Sequence, residues 1–170
     1  MDLKPLTYNG RDEGIEITLS TTLRPGDDIQ NVEMAIHALF PDAILGDIER
    51  QTFPSEQMVS IECKHLSLEI FLEQLRKQSI LDTAMDAMGK NLIGQKTTFR
   101  ISRLAAFAGK IAFSYEEVPL GGCFEIQLEG MGLSDWIEAC TWHSGRQNVP
   151  RQLHDDAAMD EHGDASTWHQ

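Results

Sequence analysis

The sequence predicts an α+β fold, a two-layer sandwich in which a mainly antiparallel sheet carries helices on one face. Three observations lead there. Short segments alternate apolar and polar residues with a period of two, segments with apolar residues at helical spacing stand between them, and Pro or Gly marks most of the boundaries. A chain of 170 residues, 41% hydrophobic and 24% charged, is long enough to bury one ordinary core.

Residues 1–13 show no period and read as a flexible N-terminal segment. Ile15, Ile17 and Leu19 then alternate with Glu16, Thr18 and Ser20, the pattern of a half-buried strand over 14–22. Pro25-Gly26 breaks the chain. Asp27 or Asp28 is placed to cap a helix whose Ile29, Val32, Ile36, Leu39 and Phe40 lie on one stripe, and Pro41 stops it. Residues 42–50 carry only an ambiguous short-strand signal, and Thr52–Glu56, with its proline, reads as a turn. Met58–Cys63 alternates again, with Val59, Ile61 and Cys63 on one side.

Helical periodicity dominates the next stretch. Leu68, Phe71, Leu72 and Leu75 form one stripe and Leu81, Ala84, Met85 and Met88 another, with Ser67 as a cap. The register slips between Gln78 and Ile80, which predicts two helices or one bent one, and Gly89 and Gly94 bracket the exit. Lys96–Ser102 and Lys110–Tyr115 read as paired strands around a Leu104–Gly109 connection that fits a helical turn equally well. Pro119–Gly122 reads as a turn, Phe124, Ile126 and Leu128 as a strand, and Leu133, Trp136, Ile137 and Cys140 as the inner face of a last helix. One domain is thus expected over 14–144. Residues 145–170 lose the apolar period and read as a disordered, acidic, His-containing tail.

Charge narrows the function. The formal net charge is −13, with 27 acidic residues against 14 basic ones, so the whole molecule is not built as a general nucleic-acid binder, whose domain is usually basic. One window opposes this field: Ala87–Tyr115 holds five cations (Lys90, Lys96, Arg100, Arg103, Lys110) and no carboxylate, which marks where an anion would be met. By alternation, Phe99, Ile101, Ile111, Phe113, Phe124, Ile126 and Leu128 belong under the helices. Lys96, Thr98, Arg100 and Lys110 share the other face with Glu16, Glu62, Glu125, Gln127 and Glu129. Two readings compete there. The cations meet phosphates, as in sheet-based RNA binders, or they pair with glutamates across strands at about 0.2–1 kcal/mol per pair. The face offers no exposed aromatic pair for base stacking, so any RNA contact would go to the backbone.

Catalytic and metal signals are weak. Gly89–Thr97 nearly spells a phosphate-binding loop, but Gln95 displaces the lysine and the helix precedes the strand, the reverse of the order that aims backbone amides at phosphates. Cys140 and His143 have ligand spacing without a second pair, so neither metal nor cofactor is expected. No nucleophile–base constellation announces itself, and nothing in the sequence argues for an enzyme. Cys63, Cys123 and Cys140 form no CxxC pair and read as reduced thiols of a cytoplasmic protein. No run approaches the roughly 20 apolar residues of a membrane span, and the first residues lack a signal-peptide core.

A set of short motifs adds a family resemblance. Arg76-Lys77-Gln78, Ile80-Leu81-Asp82-Thr83-Ala84, Thr97-Thr98-Phe99, Ala105–Lys110 (AAFAGK) and Pro119-Leu120-Gly121, with Leu39-Phe40-Pro41-Asp42 upstream, resemble the signature of uncharacterised protein family 0201 of archaea. The resemblance spans roughly residues 14–142. It implies an α+β fold similar to a ribosomal protein that contacts 5S ribosomal RNA, a homodimer, and a role in RNA binding or an RNA-processing complex. The acidic tail and the overall charge depart from the family pattern. With the basic window, the resemblance leads us to expect a non-enzymatic homodimer tied to RNA metabolism, in which Arg76, Lys77, Lys96, Arg100, Arg103 and Lys110 contact RNA backbone and Thr97 and Thr98 add hydroxyl donors. The alternatives are a scaffolding dimer without direct RNA binding, and an enzyme or sensor for a small phosphorylated metabolite built on Lys96, Arg100 and Asp82.

Overall fold

In a computed structural model that describes residues 8–46, 58–115 and 121–154, the alternating segments become one antiparallel sheet. Its strands are β1 (Glu16–Leu23), β2 (Val59–Cys63), β3 (Lys96–Ser102), β4 (Phe113–Ser114) and β5 (Cys123–Glu129), in the spatial order β2-β1-β5-β3-β4. Helices α1 (Ile29–Leu39), α2 (Glu69–Lys77), α3 (Leu81–Lys90), α4 (Arg103–Phe107) and α5 (Leu133–Cys140) complete the domain. Alternate strand residues (Ile17, Leu19, Leu23, Ile61, Phe99, Ile101, Phe124, Ile126, Leu128) are buried with the helix stripes in one core, and their neighbours on each strand point away from it. The two-layer α+β architecture is therefore as the patterning predicts. Among the described residues, no helix is long and apolar enough to cross a membrane.

Local chemistry explains the boundaries. Asp28 caps α1 by accepting from the Gln30 amide at 2.9 Å. Ser67 accepts from the Glu69 amide at 3.3 Å as α2 begins. The register slip resolves into two helices: Ser79 takes a left-handed φ of 57° between α2 and α3, and Gln78 leaves the helix to serve the neighbouring segment. Its side chain donates to the Ile111 carbonyl and accepts from the Ile111 amide, both at 2.8 Å, replacing a missing strand partner. An aromatic chain runs through the core from Phe40 to Phe71, Phe99 and Phe113, with ring centroids 5.8 to 6.0 Å apart.

Several expectations need correction. The strand sought over Lys110–Tyr115 shrinks to Phe113–Ser114, because the AAFAG segment coils into α4 and Gln78 holds Ile111 outside the ladder. Residues 42–46 form no strand, while 47–50 and the Thr52–Glu56 turn lie outside the described residues. Within the N-terminal segment expected to be flexible, residues 9–13 make defined contacts. Arg11–Glu13 form a 3-10 turn in which the Glu13 carboxylate accepts from the amides of Asn9 and Gly10 and from the Trp136 indole; residues 1–7 lie outside the described residues.

The largest correction concerns the tail. Residues 145–154 are packed onto α3, and only 155–170 lie outside the described residues. Asp82, Asp86 and Gly89 occupy one stripe of α3 by their i, i+4, i+7 spacing. Arg146 reaches Asp82 at 2.9 Å, Arg151 reaches Asp86 at 2.7 Å, and the Leu153 side chain lies so close to Gly89 that an added Cβ would come within 2.8 Å of it. The segment behaves as a strap. Sequence periodicity could not reveal it because a strap made of single side chains reaching a helix has no period of its own.

Candidate functional site

The basic window does not fold into one basic patch. β3 runs through it and divides it by alternation. Thr97 points inward, fully buried, and donates to the Met88 carbonyl at the end of α3, so it is unavailable as a ligand donor. Arg103 is also buried, at 7% exposure. Its guanidinium donates to the Asp27 carboxylate at 3.0 Å, to the Thr21 hydroxyl at 3.1 Å, and to the carbonyls of Thr22 and Gly121. Gly122, at φ 83°, leaves room for that guanidinium, since a Cβ there would collide with it. Both residues were expected among the RNA contacts, and both hold the fold instead.

The remaining six scatter. Arg76 and Lys77 end α2 on the helical layer, where Lys77 pairs with Glu73 at 3.5 Å. Lys110 is exposed on the α4–β4 connection rather than on a strand. Lys96, Thr98 and Arg100 stay together on the open face of the sheet.

Strand register orders that face into rows. Lys96 stands opposite Glu129, which faces Glu16; Thr98 stands opposite Gln127, which faces Thr18. Arg100 lies between Glu125 and Ser114, and the same row continues through Ser20 to Glu62. Cations therefore collect on the β3 side and carboxylates on the β1–β2–β5 side. The glutamates on the far strands have other partners: Glu16 pairs with His65 at 2.9 Å and Glu62 with Lys64 at 3.3 Å. Lys96 and Arg100 make no ion pair with any described residue, although a carboxylate sits across the strand from each.

At the β3–β4 edge the open face dips into a hollow of about 260 Å³ lined by Lys90, Asn91, Thr98, Arg100, Ser114 and Tyr115, with Glu125 beside Arg100. Asn91 caps the unpaired edge of β3 by donating to the Thr98 carbonyl at 2.9 Å. The Lys90 ammonium sits 4.4 Å from the centre of the Tyr115 ring, which is 59% exposed. Lys90 and Tyr115 were not among the expected site residues. The signal for Lys90 was its place in the cation window; nothing in the sequence aligned Tyr115 with it.

Asp82 belongs elsewhere. It lines a cleft of about 1040 Å³ on the helical layer, away from the hollow that Arg100 lines, so neither of these two pockets brings Lys96, Arg100 and Asp82 together. His143 Nε2 lies 3.0 Å from Asp82 Oδ1, and Arg146 donates to the same oxygen and to the Glu138 carbonyl. Burial by itself would raise the Asp82 carboxyl, but the hydrogen bonds from His143 and Arg146 and the Arg146 charge outweigh it and hold the group below the usual carboxylate range. Burial pushes the Cys140 thiol far up, which makes it an inert core thiol rather than a partner of His143 in binding metal. Burial, and then the Glu62 charge, raise Cys63 as well. Among the described residues, no group of His, Cys, Asp or Glu has the spacing of a metal site.

Comparison with known proteins is consistent in kind. No family model matches the chain. A UPF0201 protein of Sulfurisphaera tokodaii is 34% identical over 127 residues, covering 72% of this chain and 86% of the relative. A UPF0201 protein of Thermococcus kodakarensis is 30% identical over 109 residues, covering 62% and 75%. The crystal structure of the UPF0201 protein from Methanococcus jannaschii superposes with a TM-score of 0.64 at 27% identity, covering 76% of this chain and 96% of that one.

Proposed function

The chain belongs to uncharacterised protein family 0201 of archaea, and on that premise we propose that it is a non-enzymatic homodimer that binds RNA through the phosphodiester backbone at the β3–β4 edge of its open sheet face. One observation carries this reading: Arg100, which makes no ion pair with a described residue, lines the same hollow as Lys90 and the exposed Tyr115, and Lys96, also without an ion pair to a described residue, stands on the same face of β3. Lys96 and Arg100 supply charge, Thr98 a hydroxyl donor, and Lys110 a further cation from the α4–β4 connection. Tyr115 offers one ring for a single base, which fits a contact that tracks backbone rather than reads sequence. The carboxylates of β1, β2 and β5 confine the strand to this margin and keep the affinity modest.

The homodimer reading draws support from the groove between α1 and α4, where Leu104 and Phe107 are exposed next to Val32 and Ala35. Light scattering on Leu104→Glu tests it: the expected result is a monomer that stays folded.

RNA binding is tested by anisotropy titration of a labelled single-stranded RNA at low and physiological salt, with wild-type protein and the Lys96→Ala/Arg100→Ala/Lys110→Ala variant. The expected result is salt-sensitive binding that the variant loses. A folded, dimeric wild type that binds nothing at low salt would remove RNA as a direct ligand and leave a protein-scaffolding dimer, whose mixed-charge sheet face would then serve protein contacts.

A further inference from the structure

The cleft on the helical layer has a volume of about 1040 Å³, and it has the composition of a ligand site. Its volume lies near the upper end of the roughly 300–1,000 Å³ usual for small-molecule sites. Tyr8 and Leu81 line it together with Trp142, whose indole is 50% exposed. An indole left half in water beside apolar neighbours is a surface that gains by being covered.

The charges around this apolar wall divide into two kinds. Asp82 is fully engaged by Arg146 and His143. The side chains of Arg76 and Asp135 have no ion pair or hydrogen bond to a described residue, and the Glu138 carboxylate accepts only the Leu153 amide, at 3.0 Å. One free guanidinium and two carboxylates without a cation therefore line the same apolar cleft.

We propose that the cleft binds a small amphipathic zwitterion, of the size of an apolar dipeptide. Its carboxylate is held by Arg76, its ammonium by Asp135 and Glu138, and its apolar side chains lie on Trp142, Tyr8 and Leu81. An anion alone would face two unanswered carboxylates, and a cation alone would face Arg76. A ligand with both charges answers every uncommitted group, and the planar guanidinium suits a carboxylate in particular. The site lies on the helical layer, on the opposite side of the core from the sheet face, and stands or falls independently of RNA binding.

The test is isothermal calorimetry with the dipeptide Phe-Leu, its N-acetyl derivative and its C-terminal amide, each against wild type, Arg76→Gln and Trp142→Ala. The free dipeptide is expected to bind at least about tenfold more tightly than either capped form, the loss of one charge-assisted contact. Arg76→Gln should bring the free dipeptide down to the level of the amide and leave the amide unchanged, and Trp142→Ala should weaken all three. Arg76 is exposed, so its replacement leaves the fold intact. Absence of heat with every probe, equal binding of free and capped forms, or full binding to Trp142→Ala would each overturn the proposal.

Discussion

On the helical side of the molecule three arginines are held by carboxylates at contact distance: Arg103 by Asp27, Arg146 by Asp82 and Arg151 by Asp86, at 2.7–3.0 Å. On the open sheet face, Lys96 and Arg100 stand across the strand from Glu129 and Glu125 yet form an ion pair with neither. The two regions differ in burial more than in composition. Arg103 and Arg146 are almost excluded from water, where an unpaired guanidinium would be costly, so each has a carboxylate and further acceptors. Lys96 is exposed and Arg100 half-buried, so water still reaches both and pairing gains little, and their charge stays available to a partner. The comparison teaches that a basic window in sequence mixes cations the fold consumes with cations it leaves free.

Substitutions on the helical side should break this contrast most visibly. Arg103→Ala leaves Asp27 without its partner and the Thr22 and Gly121 carbonyls without a donor, and should lower stability by roughly 3–5 kcal/mol in urea denaturation. Arg146→Ala should cost somewhat less, about 3 kcal/mol, because Asp82 remains partly solvated and keeps His143. It should also release the strap, seen as protease cleavage after Arg151.

The same cluster has a pH signature. The folded Asp82 carboxyl lies below its ordinary value, so its contribution is fully present above the usual carboxylate range near about pH 4 and is lost as pH falls through the lower folded value. Asp82→Asn should flatten the acid limb of the stability profile in that window. Gln78→Ala removes the paired amide contacts to Ile111 and should cost about 1–2 kcal/mol. On the open face the effect should be smallest: Arg100→Gln should stay within about 0.5 kcal/mol of wild type.

How much of this was legible in the sequence depends on which interactions have a period. The strands and core helices alternate at two or at the helical repeat, so Glu16–Leu23, Ile29–Leu39 and Cys123–Glu129 were readable to within a residue or two. The short β4 was overread because nothing local announces that Gln78, far along the chain, will satisfy Ile111. The strap was missed because Arg146, Arg151 and Leu153 contact α3 as single side chains in a polar segment. In the candidate site, alternation placed Lys96, Thr98 and Arg100 on the open face and would have turned Thr97 inward. Arg103 escaped it, since it leaves the strand at the start of α4 and its Asp27 partner lies 76 residues away.

The division between consumed and free cations is tested most directly on one variant, Lys96→Gln/Arg100→Gln/Lys110→Gln, by measuring its urea midpoint and the salt dependence of its RNA affinity together. With roughly 0.7 of a log unit in slope per phosphate contact on single strands, the account predicts a slope shallower by about 2 and an unchanged midpoint. A lowered midpoint, or a slope equal to that of the wild type, would contradict it.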